Sequence, residues 1–213
     1  MVTLKECIPS VASLLRRSAT RRDAVQPSDA AKAEIARQLE KFGYTDENPA
    51  VFRAIVHYGA MMLEGINEKG LFLKGPVGIG KSYGVECLSA CFQIPVMTPL
   101  LLASVWKKLD GNLLDLEEFV VNGGDFFQRP HDIVLDELGT KDVSRNYGET
   151  AEIMADVLDM RYRAFIRHGV KTIVTTNLSD DEIAARYGLR IDDRMNEMFY
   201  FRSVTGRSLR RKE

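Results

Sequence analysis

Three observations predict a three-layer α/β fold built on a five-stranded parallel sheet. Five short apolar runs, Leu71–Lys74, Ile94–Thr98, Ile133–Asp136, Thr172–Thr176 and Phe199–Val204, alternate with helical stretches near 82–91, 100–121, 150–167 and 180–187. Such alternation is what strands covered on both faces by crossover helices look like in sequence. Between the first run and the first of these helices stands Gly75-Pro76-Val77-Gly78-Ile79-Gly80-Lys81-Ser82, a complete G-x-x-x-x-G-K-[ST] phosphate-binding loop. The third run delivers Asp136 and Glu137 at its carboxyl end, 55 residues beyond Lys81.

The elements follow in order. Residues 1–27 form a basic arm ending at Pro27, with Lys5, Arg16, Arg17, Arg21 and Arg22 against Glu6 and Asp23. Ser28 or Asp29 caps a helix to about Phe42, with Ala31, Ile35 and Leu39 on one face. A second helix starts after Pro49 and runs to about Leu63, so 28–70 reads as a helical extension. The core spans 71–206, and 207–213 is a basic tail carrying Arg207, Arg210, Arg211 and Lys212. The net charge of −1 thus hides two basic ends on an acidic body. That asymmetry suits contact with nucleic acid or an acidic protein surface, or simply solvated tails.

Composition excludes several classes. With 45% hydrophobic and 28% charged residues, the chain has the apolar content for a core and is not a disordered polymer. No run approaches the roughly 18 apolar residues that a membrane span needs. Cys7, Cys87 and Cys91 make no disulfide framework; the last two are four apart on one helix, as packed thiols would be. Together with the lack of an apolar leader, this predicts a reducing, cytoplasmic setting. His57, His131 and His168 lie far apart without ligand spacing. The Met61-Met62-Leu63 cluster reads as core, and Gly123-Gly124 as a loop before the third strand.

The chemistry is that of a nucleotide with Mg²⁺. Glycines let the loop amides turn inward around phosphates, and the following helix adds its positive end. Gly75 to Tyr83 would make this cradle, with Lys81 on the β- and γ-phosphates and the Ser82 hydroxyl on Mg²⁺. By chance a loop of this form arises in roughly one chain in a hundred of this size. Asp136 would hold the Mg²⁺ shell and Glu137 would act as general base on water. Asn177, at the tip of the fourth strand, either orients that water or caps the helix beyond it. Arg190 and Arg194, four apart on one helical face, either pair with Asp192, Asp193 or Glu197 or reach a neighbouring copy's γ-phosphate.

The ordered set of motifs resembles a known family. The loop at 75–82, Val-Leu-Asp-Glu-Leu-Gly at 134–139, Asn146-Tyr147-Gly148, Arg161-Tyr162, Thr-Ile-Val-Thr-Thr-Asn-Leu at 172–178, Tyr-Gly-Leu-Arg-Ile-Asp-Asp-Arg-Met at 187–195 and Thr-Gly-Arg-Ser-Leu-Arg at 205–210 cover residues 70–210. Together they resemble AAA+ ATPases of the initiator branch, specifically the DnaC/DnaI helicase-loader and IstB transposition-ATPase group. The resemblance implies a P-loop NTPase core, with Asn177 as sensor 1, Arg194 as the arginine finger and Arg190 as a second inter-subunit contact. With 19 residues after Arg194, no C-terminal helical lid is expected, as in that group. The arm is shorter than the helicase-binding domain that loaders often carry, and client docking is assigned to it.

The same resemblance places a two-helix insertion within 99–125, where Trp106, Lys107 and Lys108 are candidate single-stranded DNA contacts. The alternative for Trp106 is packing with Leu102 and Leu109. The implied function is an ATP-dependent replication accessory protein. It binds single-stranded DNA, assembles as a homo-oligomer through Arg194 in trans, and loads or remodels a hexameric helicase. The alternative is an IstB-like ATPase that selects target DNA for a transposase. A metabolite kinase, the third reading, fits poorly with the Asp136-Glu137 pair and Asn177, which belong to hydrolysis.

Overall fold

The computed structural model describes residues 26–124, 128–140 and 147–210. Residues 1–25 of the basic arm with Cys7, Asn146, and Arg211 to Glu213 of the tail lie outside the described residues. Helices α1 (Asp29–Lys41) and α2 (Pro49–Leu63) lead into β1 (Gly70–Lys74), α3 (Lys81–Phe92) and β2 (Val96–Met97). Then come α4 (Pro99–Lys108), α5 (Leu113–Glu117) continued by one π turn over Glu118–Asn122, and β3 (Ile133–Leu138). The chain continues with α6 (Tyr147–His168), β4 (Thr172–Thr176), α7 (Asp180–Tyr187), α8 (Leu189–Met198) and β5 (Phe199–Ser203). All pairings are parallel, in the order β2-β3-β4-β1-β5.

Side-chain alternation along the strands divides the core into two halves. Leu71, Leu73, Val134 and Ile173 face a layer that contains Ile35 and Leu39 of α1, Val51 and Ile55 of α2, and Val85 and Leu88 of α3. Phe72, Ile133, Leu135 and Val174 face the opposite way, onto Leu102, Leu116 and Val120, Val157 and Leu158 of α6, and Met195 and Met198 of α8. Burial on both faces is why these strands read as apolar runs and not as alternating ones. The helices of residues 28–63 therefore share one core with the sheet.

Local chemistry sets the boundaries. Ser28 accepts from the Ala31 amide and Thr98 from the Leu101 amide at the starts of α1 and α4. Ser179 and Glu182 make a reciprocal capping box on α7. The helix expected over 100–121 is broken: Asp110 and Gly111 adopt positive φ, and Asn112 restarts the chain as α5 by accepting from the Leu114 and Asp115 amides. The strand expected over Ile94–Thr98 shrinks to Val96–Met97. It is an edge strand bracketed by Pro95 and Pro99, neither of which can donate to a ladder. The third strand is longer than its apolar run and continues to Leu138.

One buried charge locks the base of the sheet. Arg161 is fully buried on α6. Its Nε donates to Thr172 Oγ1 (3.0 Å), Nη1 to the Val120 carbonyl (3.1 Å), and Nη2 to the carbonyls of His131 (3.0 Å) and Lys171 (2.7 Å). Burial pushes the guanidinium down to about 10, against the pull of Asp132. Replacing Arg161 by Met takes a donor from three carbonyls and a hydroxyl, of which the Lys171 carbonyl keeps the Ile133 amide. We expect a loss of about 3–5 kcal/mol in urea unfolding, with the denaturant slope unchanged.

Candidate nucleotide site

The site is assembled at the carboxyl ends of three adjacent strands. In the sheet β4 lies between β1 and β3, so the loop after β1, the end of β3 and the tip of β4 converge. Gly75, the first residue of the loop, is tied to β4 by its amide donating to the Thr176 carbonyl at 3.2 Å. Gly78 and Gly80 sit at φ +84° and +94°, where a side chain would be strained, and Gly80 hands the chain into α3 at Lys81. Val77 is exposed at the loop apex, Ile79 is buried beneath it, and Ser82 and Tyr83 open the helix, the latter half-exposed. Pro76 lies exposed beside the apex.

Lys81 is folded into this loop. Its Nζ donates to the carbonyls of Gly75 and Pro76 and to Asn177 Oδ1, each at 2.7 Å. The sequence-predicted pair of phosphate-loop lysine and strand-tip amide is thus in direct contact across 96 residues of chain. Burial pushes the amine down to about 8, against the pull of Asp136 and Glu137 and with a further push from Arg210. Because its folded value lies below that of a free lysine, holding the charge costs most below pH 8 and the cost fades as pH rises. Phosphates bound there would reverse that preference. Nucleotide binding at about pH 9 therefore takes up close to one proton. Calorimetry in buffers of different ionisation heat checks this; a heat independent of buffer would contradict it.

The third strand carries an irregularity where its acids stand. From Leu135 to Leu138 β3 advances three residues while β4 advances two, from Val174 to Thr176, so one residue is extra. Glu137 takes the left-handed conformation, φ +59°, uncommon for a residue with a side chain. Its amide donates to Thr175 Oγ1 at 2.9 Å, and its carbonyl accepts from the Thr140 amide at 3.0 Å and hydroxyl at 2.6 Å. The Thr175 hydroxyl in turn donates to Asp136 Oδ1 at 2.5 Å. Thr175 thus fixes the side chain of the buried Asp136 and the backbone of the partly exposed Glu137 together. Glu86 of α3 lies near enough that burial first, and Asp136 and Glu137 next, raise its carboxyl above the usual range.

This donor set fits a nucleotide triphosphate with Mg²⁺. A buried amine waits in a glycine cradle, and a buried carboxylate and a helix-start hydroxyl offer oxygen to a hard cation. Bound there, Mg²⁺ would neutralise charge on the phosphates, with Ser82 and Asp136 as its protein-side ligands or water contacts.

The two arginines lie away from the loop, on α8, and are tied to α6. Asp159 pairs with Arg190 at 3.3 Å, with Arg163 at 3.5 Å, and closely with Arg194. Arg194 also stacks over the Tyr162 ring at 4.8 Å, and Tyr162 donates to Glu197 at 2.8 Å. Arg190 is mostly exposed, its side chain at 74%, against 23% for Arg194. In the insertion, Lys107 and Lys108 are exposed, while the Trp106 indole is half-buried, packed on the core and over Gly111.

Sequence reasoning missed Thr175 and Asp159. A signal for Thr175 was present: a hydroxyl in a strand buried on both faces must find a partner. Nothing local marks Asp159, whose role arises from two helices meeting.

Comparison with known proteins concerns the fold. No family model and no curated protein sequence matches the chain. Among solved structures, that of DnaI superposes with a TM-score of 0.55 at 19% identity, covering 81% of this chain and 94% of that one. A candidate primosome component from Streptococcus pyogenes serotype M3 gives 0.52 at 19%, covering 87% and 100%. DnaA from Aquifex aeolicus with AMPPCP gives 0.53 at 12%, covering 78% of this chain and 49% of that chain. The fold is shared with the DnaI and DnaA structures. The chain spans about half the length of the DnaA chain it matches. Among the described residues, no helix is long and apolar enough to cross a membrane.

Proposed function

We propose that the chain is an ATPase of DNA replication which engages single-stranded DNA and loads or remodels a hexameric helicase. The observation that carries the hydrolytic part is the 2.7 Å contact of Lys81 with Asn177, at a strand tip beside Asp136 and Glu137. Lys81 holds the phosphates, Asn177 and Glu137 position and deprotonate water, and Thr175 keeps the acid pair in register. Arg194 serves a neighbouring copy, leaving its Asp159 partner when the copies meet, and Arg190 contacts the same neighbour. Lys107, Lys108 and the edge of Trp106 offer a DNA surface on the α4–α5 insertion. The basic arm at 1–27 docks the client.

The replication assignment is supported by the company the fold keeps. One neighbour is described as a primosome component and another as a replication initiator bound to AMPPCP and single-stranded DNA. A transposition ATPase is the alternative with the same site. Immobilised Glu137→Gln protein with ATP·Mg²⁺ separates them, with Lys81→Ala as control. Retention of a hexameric helicase from host extract by the trapped form alone is expected. Retention of a transposase in its place would overturn the client assignment and leave the site intact.

A further inference from the structure

Beyond β5 the chain does not leave the molecule. The Val204 amide donates to the Lys74 carbonyl at 2.8 Å, and the buried Val204 side chain packs at Gly75. The buried Asn48 amide, just before α2, donates both to the Ile79 carbonyl (2.8 Å) and to the Arg207 carbonyl (2.9 Å), stitching this segment to the phosphate loop. A Cβ on Gly78 would lie 2.5 Å from Ser208 Oγ, and the Leu209 amide donates to the Gly78 carbonyl at 2.8 Å. The Leu209 side chain reaches Gly80. Residues 204–210 therefore lie along the loop from its first glycine to its last.

We propose that this segment is a strap that completes the nucleotide site within one chain, with Arg210 supplying a second cation to the phosphates beside Lys81. The proposal rests on reading residues 75–82 as a triphosphate site. Ordering seven residues without helix or sheet costs conformational entropy, and here the ordering contacts fall on the loop's own backbone. They carry Arg210 to the loop's rim directly after the Leu209–Gly78 bond, where its amide turns back to Ser208 Oγ at 3.4 Å. Arg210 remains exposed. Two cations at one glycine cradle repel each other until a polyanion lies between them. Arg207, three residues earlier, turns its carbonyl inward to Asn48.

Fluorescent mant-ATP titrations of the full chain test this without reference to turnover. Arg210→Ala is expected to raise the Kd about tenfold, as loss of one charge contact at a partly desolvated site would. Arg210→Lys should recover much of it. Gly206→Val, whose side chain would strike the Asn48 amide, should displace the strap and weaken binding likewise, with circular dichroism reporting the retained fold. Arg210→Ala binding within twofold of wild type would overturn the strap's role while the loop reading stands. Lys81→Ala binding as tightly as wild type would overturn the loop reading, and the strap with it.

Discussion

Glu137→Gln is expected to lower ATP turnover by roughly 10²–10⁴-fold while leaving mant-ATP affinity within a few fold of wild type. The amide keeps the size and the polar contacts of the side chain but cannot take a proton from water. The fold should be untouched, because the left-handed backbone at Glu137 is held by Thr175 and Thr140 through main-chain groups that the substitution does not alter. Glu137→Gly removes the same base but also the strain, φ +59° being comfortable for glycine. It should therefore be equally inactive yet more stable by roughly 0.5–1 kcal/mol. A gain in melting temperature for Glu137→Gly alone would show that the protein spends stability to aim this carboxylate. Normal turnover by Glu137→Gln would remove Glu137 from the mechanism.

Arg194→Ala is expected to lower turnover about 10³-fold or more with little change in ATP affinity, as loss of a group that acts on transition-state charge does. A competing account is that Arg194 merely braces α8 against α6 through Asp159 and Tyr162. The two separate cleanly. A brace predicts a lower melting temperature and nearly normal turnover per folded molecule. A finger acting in trans predicts that mixing Arg194→Ala with Lys81→Ala restores turnover, since one copy then has an intact loop and its neighbour an intact arginine. No recovery on mixing would sink the trans assignment.

The parts of the site that were legible in sequence are those whose chemistry is written locally. The phosphate loop depends on glycines at fixed spacing. The Asp136-Glu137 pair depends on an apolar run ending in acids, and Asn177 on the same logic one strand over. Their meeting depends on β4 lying between β1 and β3, and the Lys81–Asn177 contact realises it. The arginines were visible as a helical pair but their partner was not. Asp192, Asp193 and Glu197 were close in sequence, whereas Asp159 meets the two arginines only because α6 packs on α8. The bulge at Glu137 was hidden because a β-strand with one extra residue keeps the same apolar composition. The strap was hidden for a related reason. Thr205 to Arg210 reads as a polar basic tail, and only the fold brings Lys74, Gly78 and Asn48 alongside to receive it.

We propose that the ends of β1, β3 and β4 form a hydrolytic nucleotide site. Phosphate release from ATP by the purified chain, measured beside Lys81→Ala, tests it most directly. Mg²⁺-dependent release by the wild type, absent from the Lys81→Ala protein, is expected. Equal release by both, or release indifferent to Mg²⁺, would contradict it.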